Sequence, residues 1–85
     1  MTPIVLVGHR HHCPLHGDGE VVTGASSVSV NGRPVARVGD RTSCGAVIEG
    51  GSSGTMIEGR PAARQGDSTS HGRTLIEGDP SWLVE

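Results

Sequence analysis

Apolar residues occur in short runs along the chain, and glycine or proline interrupts the sequence too often for helical periodicity to develop. Residues 27–30 alternate small polar with β-branched apolar residues, a pattern typical of a half-buried strand. The pair Asn31-Gly32 follows, and this pair favours a two-residue type I′ hairpin. Pro34 and Pro61 begin return segments, since proline is tolerated at a strand start or on a sheet edge. The pattern predicts an all-β chain built from short hairpins.

The chain repeats one unit three times. Residues 31–40 read NGRPVARVGD and recur at residues 58–67 as EGRPAARQGD. Residues 47–50 (VIEG) recur in the same way at residues 75–78 (LIEG), and VVTG occupies this slot in the first copy. Each unit therefore consists of a loop, an apolar strand that ends in glycine, and a hairpin with its return segment.

The two chain ends complete one another. The third unit stops at residues 82–85 without a return segment, while residues 3–8 (PIVLVG) match the return segment at 34–39 (PVARVG). The N-terminal strand can therefore pair where the C-terminal unit lacks a partner. We expect the chain to close into three equivalent sectors with adjacent N- and C-termini, which leaves fewer exposed strand edges.

Composition narrows the class of protein. With 85 residues, 14 glycines and a single aromatic residue, we expect one small domain (residues 1–85) that needs a metal, a disulfide or a partner for stability. The net charge of −2 argues against nucleic-acid binding, which usually requires a basic face. The sequence has neither an apolar run long enough for a membrane span nor a signal-peptide core. We therefore expect folding in a reducing cytosol, where the two cysteines favour metal ligation over a disulfide.

Candidate metal ligands recur at one position of the repeat. Three ligand loops (residues 8–17, 39–45 and 66–72) each place a cysteine or histidine five residues after a glycine. Closure into three sectors would bring these positions together, and a Cys-x-x-His segment adds a fourth donor. The resulting set, which fits a closed tetrahedral zinc site and hence a structural one, is Cys13, His16, Cys44 and His71. Such a site contributes about 10–16 kcal/mol of apparent binding free energy, so we expect the metal-free chain to be largely unfolded.

Three further histidines compete for this site. His9, His11 and His12 stand where the other copies have Asp, Thr and Ser, and the simplest interpretation is that they are solvated loop residues. Replacement of His16 by one of them, or a role beside the ligands, stays open at this stage. Iron fits the same donor set.

Other recurring polar residues favour structural roles. Asp40 and Asp67 follow a glycine at equivalent places, and we interpret them as turn residues that accept backbone N–H bonds rather than as catalytic acids. Arg37 and Arg64 are expected to pair with these carboxylates, with a partner contact as the alternative. Trp82 is expected to cover a small core, again with a partner contact as the alternative.

The return segments carry a family resemblance. Residues 61–64 read PAAR and residues 34–37 read the variant PVAR. With Gly39-Asp40 and the CPLHG segment at 13–17, they resemble the PAAR-repeat family over nearly the whole chain. The resemblance implies a small cone of β-hairpins with pseudo-threefold symmetry, a zinc ion near the apex, and a broad base that caps a trimeric β-helical spike, one copy per trimer. The chain departs from the family at His9, where Asp is usual, and at the glycine-rich residues 50–54.

The resemblance also implies a mechanical function. Such spikes belong to type VI secretion systems and contractile phage tails, and the cap sharpens them for piercing a target-cell membrane. We therefore expect a structural protein and not an enzyme, bound to the spike through its base and touching the membrane only transiently. We expect no fused effector domain, so effector cargo would bind elsewhere on the assembly. The expected location is the bacterial cytoplasm during assembly, followed by delivery with the spike, or the virion tail for a phage protein.

Two other classes of function stay open at this stage. A metalloenzyme would need an open coordination position and a pocket, which a full ligand set in a tiny core disfavours. A zinc-dependent binding module for nucleic acid would need a basic patch, whereas nine acidic residues outnumber seven Lys and Arg residues. The residues do not decide between a secretion system and a phage tail.

Overall fold

All regular structure in the described part of the chain is β-structure. The computed structural model describes residues 1–13, 17–70, 72 and 74–85. Within these ranges the strands form antiparallel pairs of two, β1 with β8, β2 with β3, β4 with β5 and β6 with β7. Their bounds are β1 Thr2–Ile4, β2 Arg10–Cys13, β3 Gly17–Glu20, β4 Ser29–Val30, β5 Arg33–Pro34, β6 Met56–Ile57, β7 Arg60–Pro61 and β8 Asp79–Val84. The predicted all-β class and its short hairpins are confirmed, and no helix that could cross a bilayer occurs in these ranges.

Two hairpins turn on residues with positive φ, as the type I′ prediction requires. Asn31 and Gly32 have φ of 52° and 82°, and Glu58 and Gly59 have φ of 54° and 82°. Positive φ at both central residues matches the right-handed twist of the flanking strands. Asparagine tolerates this backbone region well, whereas glutamate does so rarely, so Glu58 needs a compensating interaction.

The third hairpin is made from the two chain ends. β1 pairs with β8 in antiparallel register, with Thr2 opposite Val84 and Pro3 opposite Leu83. The register then shifts between Pro3 and Ile4, where the longer β8 bulges away. The predicted adjacency of the termini is therefore confirmed, because the N-terminal strand fills the place that the C-terminal unit leaves without a return strand.

A closed ring of three hydrogen bonds joins the return segments. The N–H of Val5 donates to the carbonyl of Ala63 at 3.0 Å, that of Ala63 to Ala36 at 2.9 Å, and that of Ala36 to Val5 at 2.8 Å. A second cycle lies two residues on and runs in the opposite direction, where Val7, Val38 and Gln65 donate to Pro34, Pro61 and Pro3. The three return segments thus hold equivalent places in the backbone network, as the repeats predict.

The ring separates two small apolar clusters. Alternate residues of each return segment point to opposite sides, because side chains alternate along extended backbone. On one side lies the hairpin core, formed by Ile4, Leu6, Ala25, Val35, Ile57, Ala62 and Val84, with Trp82, Val28 and Val30 packed against it. On the other lies the loop core, formed by Val5, Val21, Ala36, Ile48, Ala63 and Leu75, with Val7 packed against it. The prediction that Trp82 covers a small core is confirmed.

Candidate metal centre

The second ligand loop is a tight turn with Cys44 near its tip. Thr42 N–H donates to Ala46 at 2.9 Å and Gly45 N–H donates back to Thr42 at 3.0 Å, with Gly45 at φ 86°. Cys44 is half-buried, and its Sγ lies 3.2 Å from Oγ1 of the buried Thr42. That hydroxyl also accepts a bond from Ala46 N–H at 3.2 Å, which fixes its orientation. A cysteine sulfur is therefore presented next to a buried hydrogen-bonding group.

The third ligand loop has the same backbone frame. Gly72 N–H donates to Thr69 at 3.0 Å, as Gly45 does to Thr42, and Gly72 has φ 77°. Thr69 is buried like Thr42. The predicted ligand His71 lies outside the described residues, so its position stays a prediction.

Matching hydrogen bonds hold neighbouring ligand loops together. Ser43 N–H donates to Glu20 at 2.8 Å while Glu20 N–H donates to Ser43 Oγ at 3.1 Å. Ser70 N–H donates to Val47 at 2.8 Å while Val47 N–H donates to Ser70 Oγ at 2.9 Å, so the second junction repeats the first. The third junction closes through a β-bridge between His11 and Leu75. The three loops therefore gather on the loop-core side of the ring, as a shared metal site requires.

The first ligand loop is a longer hairpin, β2–β3, in which His11 pairs with Gly19 and Cys13 pairs with Gly17. Gly19 permits close packing here, because a Cβ at this position would lie 2.6 Å from Ser43 Oγ. The backbone of the predicted ligand Cys13 lies at the end of β2. The predicted ligand His16 lies outside the described residues.

His11 is fully buried, and neither of its ring nitrogens has a hydrogen-bond partner in the described part of the chain. The interpretation of His11 as a solvated loop residue is therefore wrong. The repeat alignment contains a signal of this burial, because His11 stands at the position of Thr42 and Thr69, and both threonines are buried too. Buried polar atoms without partners are rare because they cost free energy, and a bound ion is one explanation for them.

His9 replaces the aspartate of the other repeats as a backbone acceptor. Its Nδ1 accepts the N–H of Leu6 at 3.0 Å, whereas Asp40 and Asp67 accept the N–H of Arg37 and Arg64 at 2.8 and 2.7 Å. Burial lowers the pKa of His9 below its usual value, although nearby Glu77 acts in the opposite direction. His9 is therefore neutral and half-buried, and it stabilises its own turn. It takes the structural role that aspartate has after the equivalent glycine in the other repeats.

The recurring arginines and aspartates form the expected pairs. Arg37 Nε and Nη2 donate to the two carboxylate oxygens of Asp40 at 3.0 and 3.2 Å. Arg64 Nε and Nη2 bind Asp67 in the same bidentate way at 3.1 and 2.9 Å. Both carboxylates are committed to arginine and backbone donors, which confirms their structural interpretation.

Sequence reasoning missed a clasp around Glu58. Its carboxylate accepts the backbone N–H of Ser26 and Ser27 at 3.3 and 2.8 Å, the two serine hydroxyls, and Arg37 Nη1 at 2.7 Å. The bonds from Ser27 and Ser26 lower the pKa of Glu58 to about 2, with the Ser27 hydroxyl as the largest cause. The clasp explains how a glutamate is held at positive φ. The signal in the sequence is that Glu58 stands where the preceding hairpin has the better suited Asn31.

The described residues alone do not complete a metal site. Among them, no group of three or more His, Cys, Asp or Glu side chains could hold a metal ion. Of the four predicted ligands only the Cys44 side chain is described. The donors that do appear here, a half-buried cysteine and a buried imidazole without partners, are those that zinc prefers, so they fit the ion.

Comparison with known proteins identifies the family. A family model described as the PAAR motif matches residues 2–50 and 46–77. The chain belongs to the PAAR-motif family. The match includes all three return segments that form the hydrogen-bonded ring. The PAAR motif is associated with structural proteins at the spike tips of type VI secretion and related systems. No curated protein matches the chain.

Proposed function

We propose that this PAAR-motif protein is the structural tip of a trimeric β-helical spike in a type VI secretion system or a contractile phage tail. The observation that carries the proposal is the ring through Val5, Ala36 and Ala63, by which one chain offers three equivalent segments to a threefold partner. Family membership supplies the kind of partner. The protein acts mechanically, without catalysis, and one copy caps each trimer.

The three hairpins form the face that contacts the spike. The partly buried Val30 and the buried Ile57 and Val84 pack in the hairpin core, on the side of the ring opposite the ligand loops. This face carries exposed apolar side chains, with Met56 56% and Leu83 42% exposed at equivalent repeat positions. Exposed apolar groups on a small protein favour docking on another protein surface.

A structural zinc ion holds the opposite, narrow end. Cys13, Cys44 and His71 stand at equivalent repeat positions, and the fourth ligand comes from the first ligand loop, where the sequence predicts His16. When bound, the ion supplies a cross-link between three loops and leaves no position open for catalysis. The hydrogen bonds between the loops support this arrangement because they already bring the loop backbones together. Iron would serve the same structural purpose.

The location follows from the partner. The protein assembles with its spike in the bacterial cytoplasm and then leaves with it, or it remains on the virion tail in the case of a phage. Membrane contact is transient, and nucleic acid is not a partner.

Binding to purified spike trimers tests the proposal. Trimeric spike proteins of type VI systems and contractile tails from the same genome are each mixed with the tagged protein, and complexes are analysed by light scattering. We expect a complex of one cap and three spike chains. Met56→Asp and Leu83→Asp should abolish it, whereas Ile76→Asp should leave it intact.

The control is matched in exposure and chemistry, because Ile76 is 41% exposed but lies beside the ligand loops. Absence of a complex with every trimer would overturn the proposed function. Equal loss in all three variants would overturn the assignment of the contact face.

A further inference from the structure

The first ligand loop contains a second candidate donor, His11, which the sequence leaves open as a replacement for His16. His11 is fully buried, and its ring nitrogens are the only buried side-chain N or O atoms without a hydrogen-bond partner in the described part of the chain. Burial of an unpaired polar group costs free energy. A residue held in this way needs a partner.

The repeats relate His11 to a residue that contacts a predicted ligand in the second sector. In the second sector, the residue at the position of His11 is Thr42, and its Oγ1 lies 3.2 Å from the sulfur of the predicted ligand Cys44. In the first sector the corresponding pair is His11 and Cys13, both in β2. The first sector therefore has a histidine at the place where the second has the residue in contact with its predicted ligand.

The backbone of His11 is held on two sides. It pairs with Gly19 inside the β2–β3 hairpin and forms a β-bridge to Leu75 of the third sector. His9 is not available in the same way, because its Nδ1 accepts the N–H of Leu6. Among the described histidine side chains, His11 alone combines complete burial with unused ring nitrogens.

We propose that His11 binds the metal directly and takes the coordination position that sequence analysis assigned to His16. The ligand set becomes His11, Cys13, Cys44 and His71. This inference rests on the proposed metal site. A bond from one ring nitrogen to the ion satisfies an atom that otherwise has no partner. It also joins the ion to the strand that bridges the first and third sectors, whereas position 16 has no counterpart in the other repeats.

Nitrogen NMR on the unmodified protein gives a direct test. In protein labelled with ¹⁵N at histidine, zinc addition should move one His11 ring nitrogen to the shift of a metal-bound imidazole and leave His16 as a free imidazole. The reverse result, with His16 shifted and His11 unchanged, would overturn the inference. A wild-type protein that binds no zinc would overturn both the site and the inference, while spike binding would still be tested separately.

Variants give a second test through metal affinity and the cobalt(II) spectrum. His11→Thr installs the residue of the other two repeats, and His11→Gln keeps a hydrogen-bonding group of similar length without a good ligand. Both should weaken zinc binding by more than about 100-fold, the upper range for loss of an outer-shell partner. Both should also change the cobalt(II) absorption bands in the visible region.

His16→Ala and His12→Ser are the controls, the latter matching Ser43 and Ser70 of the other repeats. Each should keep zinc affinity within about 10-fold and leave the cobalt(II) bands unchanged. Normal affinity in His11→Gln would assign His11 to hydrogen bonding beside the ligands and overturn direct ligation. Loss of the cobalt(II) bands in His16→Ala alone would do the same.

Discussion

Replacing Asp40 with alanine should destabilise the protein more than the equivalent change at Asp67. Asp40 is 4% exposed and accepts four bonds, from the Arg37 N–H, Nε and Nη2 and from the Thr23 hydroxyl at 3.1 Å. The side chain of Arg37 is 12% exposed. Alanine would leave a buried backbone N–H and part of a guanidinium without partners. Breaking a buried pair in this way costs about 3–5 kcal/mol.

The matching pair in the next sector is more open to solvent. Asp67 accepts three bonds, all from Arg64, whose side chain is 30% exposed. Water can replace part of what the carboxylate supplies, so Asp67→Ala should cost about 1–3 kcal/mol. The ordering of the two losses is therefore decided by burial and by the additional Thr23 bond.

Urea unfolding with zinc in excess measures both losses. Trp82 fluorescence follows the transition, and saturating zinc keeps the metal contribution the same in every variant. The exposed Glu49 supplies a control, since Glu49→Ala should change the free energy of unfolding by no more than about 0.5 kcal/mol. A loss at Asp67 equal to or larger than that at Asp40 would refute the reasoning from burial. Losses below about 1 kcal/mol at both sites would refute the assignment of the pairs as structural.

Three further predictions concern the clasp, the packing and the metal. The lowered pKa of Glu58 means that its ionised form is favoured by folding, so its stabilisation is complete above about pH 4.5 and is lost as pH falls toward about 2. Melting curves should show this acid dependence in the wild type and a weaker one in Glu58→Gln; identical pH profiles would contradict it. Gly51→Ala should cost about 1–3 kcal/mol, since its Cβ would lie 2.8 Å from Val38 Cγ2 and 2.9 Å from Pro61 Cβ, while Gly50→Ala meets contacts no closer than 3.4 Å and should cost less in the same urea assay. Removal of zinc with a chelator should abolish the cooperative melting transition seen by circular dichroism, and an unchanged transition would exclude a structural role for the metal.

Much of the fold could be predicted because the same local signals for turns and strands recur in each repeat of the sequence. Asn31-Gly32 specifies a turn type, the prolines indicate the return segments although each strand begins one residue earlier, and the match between residues 3–8 and 34–39 predicts how the ends pair. These are local signals, or copies of local signals, and they do not depend on which side chains meet across the molecule.

The missed features depend on contacts between distant residues. Glu58 binds Ser27 across 31 positions, and nothing near Glu58 in the sequence indicates those donors. His11 was assigned to solvent because three histidines within four positions look like a polar loop. The alignment with Thr42 and Thr69 contained the needed information only once those positions were known to be buried.

The three repeats are not identical at the junctions between neighbouring hairpins. Arg37 and Arg64 reach the next hairpin through Glu58 and the carbonyl of Glu85, whereas the third equivalent position is Leu6, buried in the hairpin core where the chain ends pair. A homotrimer could not vary one junction in this way.

The same freedom allows the proposed metal site to have four ligands in a chain with three repeats. Three equivalent loops offer ligands in threes, but a closed zinc site takes four. One loop must therefore supply two donors, and that loop must depart from the repeat. The first ligand loop does so, because it forms a full hairpin and carries His11 where the others carry threonine. The burial of that histidine without a partner in the described residues is the observation on which its proposed role as fourth ligand rests.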